Sequence, residues 1–416
     1  MMRSEPTMPN PASSPRWLSI IGIGEDGVEG LSRGARDLIA NAEIVFGHAR
    51  HLSLARPLIN GQSKPWPSPF SLAVGEVLGM RGRQICVLAS GNPFFYGVGA
   101  TLAGHVPPEE VWVVPAPSAF SLAAARLSWA IPETTLLSVH GRAVDRIRPH
   151  LHPGAHILAL TSDAEGPATL ARLLTEIGFG ASNLTVLEAL GGERERVRSV
   201  RADAFDIEDV AALNTLAIDV VAASPDARII AYAPGLADNL FENDGQITKR
   251  EVRAITLSSL APRRSELLWD VGAGAGSVAI EWMLAHRSLR AIAIEARPER
   301  AACISRNALA FGVPDLEVVE GEAPDALAGL EAPDAIFIGG GASTTGVLDA
   351  CIAALKPGGR LVANAVTLET ESEFIALHAL RGGELTRAAI SRADRVGGKT
   401  GWRPALPVTQ WVWRKT

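Results

Sequence analysis

The stretch Trp269-Asp270-Val271-Gly272-Ala273-Gly274-Ala275-Gly276-Ser277 decides how the second half of this chain is read. An acid closes a short apolar run, three glycines follow at alternate positions, and an amphipathic segment over 278–284 opens the next element. That order predicts a strand, a glycine turn and a helix. Without Cβ atoms the backbone N–H groups of such a turn can approach a ligand closely, and the helix N-terminus adds partial positive charge suited to a carboxylate or phosphate. Dinucleotide-binding turns follow G-x-G-x-x-G, whose third slot holds Ser277 here. The spacing D-x-G-x-G-x-G fits instead.

Working outward, residues 290–295 read as the next parallel strand. Its last residue, Glu295, lies about twenty residues past the turn, where such folds hold ribose hydroxyls. A third strand over 316–319 leads to Gly321-Glu322-Ala323, and a fourth over 334–338 runs into Gly339-Gly340-Gly341. Leu355-Lys356-Pro357-Gly358-Gly359-Arg360 then turns into a strand over 361–364. A single strand-end acid is ordinary solvated surface; several such features in register favour a cofactor site. Together these segments resemble the S-adenosylmethionine-dependent methyltransferases. The resemblance implies a Rossmann-like domain that binds S-adenosylmethionine through Gly272, Ala273, Gly274, Ala275 and Gly276, with Glu295 on the ribose hydroxyls and Ala323 beside the adenine.

Composition agrees with a multidomain intracellular enzyme. At 416 residues the prior is two to three domains, and an apolar fraction of 47% is ample for buried cores. Residues 1–15 are rich in Pro, Ser and Asn and read as a disordered leader. No apolar run approaches a membrane span, and the net charge of −6 argues against a nucleic-acid binder, so a cytoplasmic enzyme is expected. Cys86, Cys303 and Cys351 are odd in number and widely spaced, as buried thiols of a reducing compartment would be. His150, His152 and His156 crowd one Pro/Gly loop, but no Cys or carboxylate joins them at ligand spacing, and no metal is expected. A domain boundary is placed near residue 239. There Thr248 reads as an N-cap, with Glu251 three residues on completing a capping box.

The first half carries a different glycine system. Strands ending near Gly22-Ile23-Gly24, over 85–89 and over 111–114 lead into Glu25-Asp26-Gly27, Ser90-Gly91-Asn92-Pro93 and Pro115-Ala116-Pro117-Ser118. Each loop falls on the carboxyl edge of a parallel sheet, where open α/β sheets bind ligands. These segments resemble the tetrapyrrole methylases, two-lobed α/β proteins with S-adenosylmethionine between the lobes. The loops Gly24-Glu25-Asp26-Gly27, Gly47-His48-Ala49-Arg50-His51-Leu52, Ser90-Gly91-Asn92-Pro93 and Ser138-Val139-His140-Gly141-Arg142 are similar to the corrin-pathway branch. The second half, from Thr248-Lys249-Arg250-Glu251-Val252-Arg253, resembles the partner methyltransferase of that pathway.

The two resemblances imply an α/β chain with a tetrapyrrole methylase domain over 16–238 and a methyltransferase domain over 239–416. They imply one S-adenosylmethionine site in each domain. Gly22, Gly24, Gly91, Asn92, Pro93 and Ser118 would serve the first site; Thr248 would join the glycines of the second. The implied reaction is methylation of a precorrin at carbons 5 and 15, with decarboxylation of the carbon-12 acetate side chain. A polycarboxylate substrate should meet cations at the cleft mouth, for which Arg50, His51, His140 and Arg142 are the best candidates, followed by Arg392, Arg395 and Arg403. A homo-oligomer is expected. No catalytic acid or base can be named. Two other readings stay open: a dinucleotide-binding oxidoreductase, and a fusion with one noncatalytic half, supported by Asn92 where many tetrapyrrole methylases have Asp.

Overall fold

The computed structural model describes residues 16–416; the leader assigned to 1–15 lies outside the described residues. Two compact units are present. The first comprises the described residues up to Arg142 together with His152–Ala227, and the second comprises Ala143–Leu151 with Arg228–Thr416. The second unit therefore starts before residue 239 and takes in a remote segment. Residues 228–231, which lead into this unit, have no regular structure.

In the first unit, β1 (Leu18–Ile23), β2 (Ile44–Gly47), β3 (Gln62–Pro65), β4 (Ile85–Ser90) and β5 (Val111–Val114) form a parallel sheet ordered β3-β2-β4-β1-β5. All six residues of β1 are buried, as expected for a central strand covered on both faces. The second sheet joins β6 (Thr134–Ser138), β7 (His156–Leu160), β8 (Asn183–Glu188), β9 (Arg196–Arg201) and β10 (Asn214–Asp219) in the order β6-β7-β10-β8-β9. Only its β6–β7 pair is parallel.

The second unit is built on β11 (Leu267–Val271), β12 (Arg290–Glu295), β13 (Glu317–Glu320), β14 (Ala335–Ile338), β15 (Arg360–Ala365), β16 (Glu384–Ala388) and β19 (Val408–Arg414). Their order is β13-β12-β11-β14-β15-β19-β16, with β11–β15 parallel and β19 antiparallel to both its neighbours. A separate hairpin, β17 (Ser391–Val396) and β18 (Lys399–Pro404), is inserted before β19. Helices cover both faces: Leu268, Trp282, Phe311 and Phe337 pack on one side, and Trp269, Leu361, Phe374 and Trp411 on the other. Gly312, at φ +74°, lies so close to Pro149 and the Asp145 carbonyl that a Cβ would meet them at 2.5 and 2.7 Å. That contact and the Arg146–Asp315 ion pair explain why Ala143–Leu151 belongs to this unit.

One buried ion pair fixes the entry to this unit. Arg253, on the helix Arg250–Leu260, is fully buried and donates from Nε to Glu281 at 2.5 Å, from Nη1 to Asp238 at 3.3 Å and from Nη2 to the Leu236 carbonyl. Glu281 also accepts from the Gly235 and Leu236 N–H groups at 2.7 and 2.9 Å. The charges are thus matched and their remaining hydrogen-bonding capacity is used, the condition under which a buried pair is tolerated. Glu281→Ala leaves Arg253 buried without its carboxylate and should cost about 3–5 kcal/mol. Denaturant unfolding followed by tryptophan fluorescence should show that loss; a change below about 1 kcal/mol would mean the pair is not the anchor.

Candidate cofactor and substrate sites

Gly272, Gly274 and Gly276 all take left-handed φ values, of +68°, +58° and +73°. Any other residue would be strained at each of them. A Cβ on Gly272 would also meet the Gly340 carbonyl oxygen at 2.7 Å, and one on Gly276 would strike Ile304. At Gly274 the neighbour is the Gln246 carbonyl oxygen, 3.2 Å away. The turn does little of the N–H donation expected of it. Gly272 and Ala273 donate to the Ile294 carbonyl at 3.0 and 3.1 Å, Gly276 to the Ala273 carbonyl at 2.8 Å, and Gly274 to Glu295 Oε2 at 2.8 Å. What the glycines provide is chiefly room for the protein's own atoms, Gly340, Ile304 and Gln246, to close on the turn, with Gly274 the least crowded of the three.

Two buried acids lie beneath the turn. Glu295 ends β12 and accepts from the Gly274 and Arg297 N–H groups at 2.8 and 3.0 Å. A carboxylate has about four lone-pair sites, so it retains capacity for two hydroxyl donors. Asp270, on β11, accepts from Ala279 N at 3.0 Å and so caps the start of the helix Ser277–Ala285. Its Oδ1 is buried with no partner among the described residues, and burial, with Glu295 nearby, pushes the carboxyl up to about 7.

Thr248 does not cap the following helix. Lys249 occupies the N-cap position without a side-chain bond, because Glu251 is drawn to Arg392 and the Thr248 carbonyl accepts from Arg253. Thr248 is half-buried on the segment that brings Gln246 to Gly274. Ala275 is buried, its carbonyl accepting from Asn307 at 3.0 Å, and Ala323 is half-buried beyond β13.

The first unit holds a cavity of about 530 Å³. Gly24, Arg50, His51, Ser90, Gly91, Ser118 and His140 line it, joined by Phe95, Tyr96, Thr161 and Asn214. Gly22, Asn92, Pro93 and Arg142 do not. A Cβ on Gly22 would stand 1.8 Å from the Gly91 oxygen and 2.6 Å from Ala116 N, so Gly22 locks three strand-end loops together. Asn92 Oδ1 accepts from Phe94 N at 3.0 Å, a turn bond that an aspartate would make equally well. Pro93 is buried beneath Gly97 and Gly99. Ser118 caps the helix Ala119–Leu127 by accepting from Ser121 N at 3.1 Å. Arg142 stands over the Tyr96 ring at 5.8 Å.

Arg50 is paired with Glu25, and its Nη2 reaches Ser90 Oγ at 2.8 Å and His51 Nε2 at 3.0 Å. His51 Nε2 also lies 2.8 Å from Ser90 Oγ. Burial and the Arg50 charge lower the His51 pKa to about 4, so the ring is neutral near pH 7. His51 therefore offers a hydrogen bond where a cationic group was expected. His140 bonds through Nδ1 with the Thr161 carbonyl at 3.1 Å. Sequence reasoning missed Tyr96, Thr161 and Asn214, which carry no local signal; Ser90 stood in the quoted loop without a role. Among the described residues no group of three His, Cys, Asp or Glu is placed to hold a metal. Cys86, Cys303 and Cys351 are free and buried, and no described helix is long and apolar enough to cross a membrane.

Both glycine systems have counterparts in known families. Tetrapyrrole (Corrin/Porphyrin) Methylases match residues 18–206, and Precorrin methyltransferase domain matches 239–415. A Precorrin-6Y C(5,15)-methyltransferase [decarboxylating] of Sinorhizobium sp is 58% identical over 99% of this chain and 98% of its own. The chain belongs to this family of decarboxylating methyltransferases. Two shorter relatives each match less than half of it. A Cobalt-precorrin-7 C(5)-methyltransferase of Salmonella typhimurium is 29% identical, covering 46% of this chain and 94% of its own. A probable cobalt-precorrin-6B C(15)-methyltransferase (decarboxylating) of Pyrobaculum calidifontis is 36% identical, covering 42% and 93%. The fold is the α/β pair of methylase domains that the sequence suggested.

Asp270 generates a test with a definite sign. Its folded pKa of about 7 is raised above the usual 3.8, so the native state keeps a proton that the unfolded chain has lost. The carboxyl favours folding at low pH, and that contribution is lost as pH rises through about 7. Asp270→Asn should therefore flatten the fall in stability of the second unit between about pH 4 and 7. Hydrogen exchange of β11 amides across that range reads it; an unchanged slope would show that Asp270 is ionised in the native state.

Proposed function

We propose that this chain methylates a precorrin at carbons 5 and 15 and decarboxylates its carbon-12 acetate side chain, as a step of cobalamin synthesis. The carbon-5 methylation is assigned to the first unit, and the carbon-15 methylation with loss of carbon dioxide to the second. The observation that carries this reading is that each unit has its own strand-edge glycine system. The two shorter relatives, one named for C(5) and one for C(15) with decarboxylation, support the division. S-adenosylmethionine, when bound, supplies a methyl group already activated by its sulfonium.

The chain's own residues bind, orient and exclude water. Glu295 accepts from two ribose hydroxyls, the left-handed turn through Gly272, Gly274 and Gly276 shapes the bed on which the ligand lies, and Thr248 and Ala323 border it. In the first unit Gly24, Gly91 and Ser118 line the donor site, while Gly22, Asn92 and Pro93 hold the loops that shape it. His140 and Arg142 receive substrate carboxylates. Arg50 and His51 order Ser90 at the wall of the cavity. The bridge carbons of a reduced tetrapyrrole are electron-rich, so no strong acid–base constellation is required. An in-line approach of roughly 3 to 3.5 Å in a dry cleft suffices.

Removing the Glu295 carboxylate should weaken S-adenosylmethionine binding at the second site by about 1.5–3 kcal/mol, with the fold intact. Calorimetry on Glu295→Ala checks this, and unchanged affinity at both sites would contradict the assignment. Gly274→Val places a branched side chain against Gln246 at a φ of +58°. With isotopically labelled donor and the reduced precorrin, this variant should add one methyl group and release no carbon dioxide. A variant that still adds two would show that the turn is structural only.

A further inference from the structure

The second unit carries an exposed insertion that the cofactor site does not use. Strands β16 and β15 both run antiparallel to β19, so β16 ends, and β19 begins, at the edge where β11–β15 end. Everything between Ala388 and Val408 therefore emerges from the cofactor edge of the sheet. The insertion is the hairpin β17–β18, closed at its base by Ala405 N donating to the Ile390 carbonyl at 2.8 Å. It is not hydrogen-bonded into the main sheet, and its residues are nearly all exposed.

Two features show that this is a built surface. Arg392 ties the hairpin to Glu251 and, at 4.0 Å, to Asp238, which also bonds the buried Arg253. The anchor is thus continuous with the segment that sets Gln246 against Gly274. Register then sorts the side chains: Ala393 opposes Trp402 and Arg395 opposes Thr400, so Trp402 and Arg395 share the face opposite Arg392. Trp402 is 77% exposed and Leu406, just beyond the hairpin, 72%. An exposed tryptophan on the face that also carries Arg395 offers a stacking surface and a charge together. Of the four cations within Ser391–Pro404, Arg392 pairs with Glu251 and Arg403 with Asp394, the one acid there, so Arg395 and Lys399 have no ion pair among the described residues.

We infer that this hairpin is the platform on which the second unit holds its substrate, a tetrapyrrole macrocycle bearing many carboxylates. The apolar ring lies on Trp402 and Leu406, and carboxylates pair with Arg395 and with Lys399 at the tip. Arg392 is a positioning residue that holds the platform over the cofactor edge. The inference rests on the functional reading above, because it is a polycarboxylate substrate of the second unit that would give Arg395 and Lys399 their partners.

The test uses the full chain and follows carbon dioxide release from the reduced precorrin. Arg395→Ala/Lys399→Ala and Trp402→Ala should each raise the KM for the macrocycle about five- to tenfold, as loss of exposed ion pairs or stacking area implies. Their kcat and S-adenosylmethionine affinity should stay unchanged, added salt should raise the wild-type KM, and Arg395→Lys/Lys399→Arg should recover the wild-type value. An unchanged KM in both variants would overturn the inference. So would a KM that follows a change in sedimentation coefficient, since the hairpin would then join copies of the chain. Absence of carbon dioxide release from the wild-type protein would overturn the functional reading beneath it.

Discussion

In both units an interior strand, β1 or β11, ends where neighbouring backbones lie closer than any Cβ permits. Gly22 follows this rule between the loops after β4 and β5, and Gly272 follows it against the loop after β14. The consequence is the same in two sheets of different strand order. Strand-end loops are held by backbone contact, so the edge where a ligand must lie is shaped before any side chain is chosen. In the second unit this contact falls between β11 and β14, where the strand order reverses and open α/β sheets place their ligands. Substitution at Gly22 or Gly272 would disturb that edge even though neither residue needs to touch a ligand.

The polar groups beneath these turns are mostly engaged by the protein itself. Asp270 caps a helix, Glu295 holds the turn, Ser118 caps another helix and Asn92 closes a turn. Each is prepared in position, so ligand binding need not order it, which is the usual gain from preorganisation. The cluster of Glu25, Arg50, His51 and Ser90 behaves in the same way. Its cation is matched and its histidine is neutral, so it sets geometry more than it supplies charge.

Much of this was legible in the sequence. Strands β1, β4 and β5 and the parallel strands of the second unit announce themselves as short apolar runs ending mostly in small-residue loops, whereas the short β2 and the polar β3 carry no such signal, and the place of Glu295 at the end of β12 follows from spacing because strand length and turn geometry fix where the next strand ends. The unread parts depend on distant partners. Thr248 has the pattern of a cap, yet Glu251 goes to Arg392, far along the chain, and the box never forms. Residues 143–151 fall inside the span 16–238 that the sequence assigns to the first domain; the close approach of Gly312 to Pro149 and the Arg146–Asp315 ion pair attach them to the second unit. His51 looks like a cation until its burial is known. The strands of the second sheet carry polar residues such as Thr185 and Asn214 at buried positions, which blurs their pattern.

The central claim is that one chain carries two independent donor sites built on unrelated glycine systems. Equilibrium dialysis of the full chain against S-adenosylmethionine counts them directly. The account requires two donors bound per chain at saturation, falling to one when Gly274 is replaced by Val. A single donor per wild-type chain would contradict it.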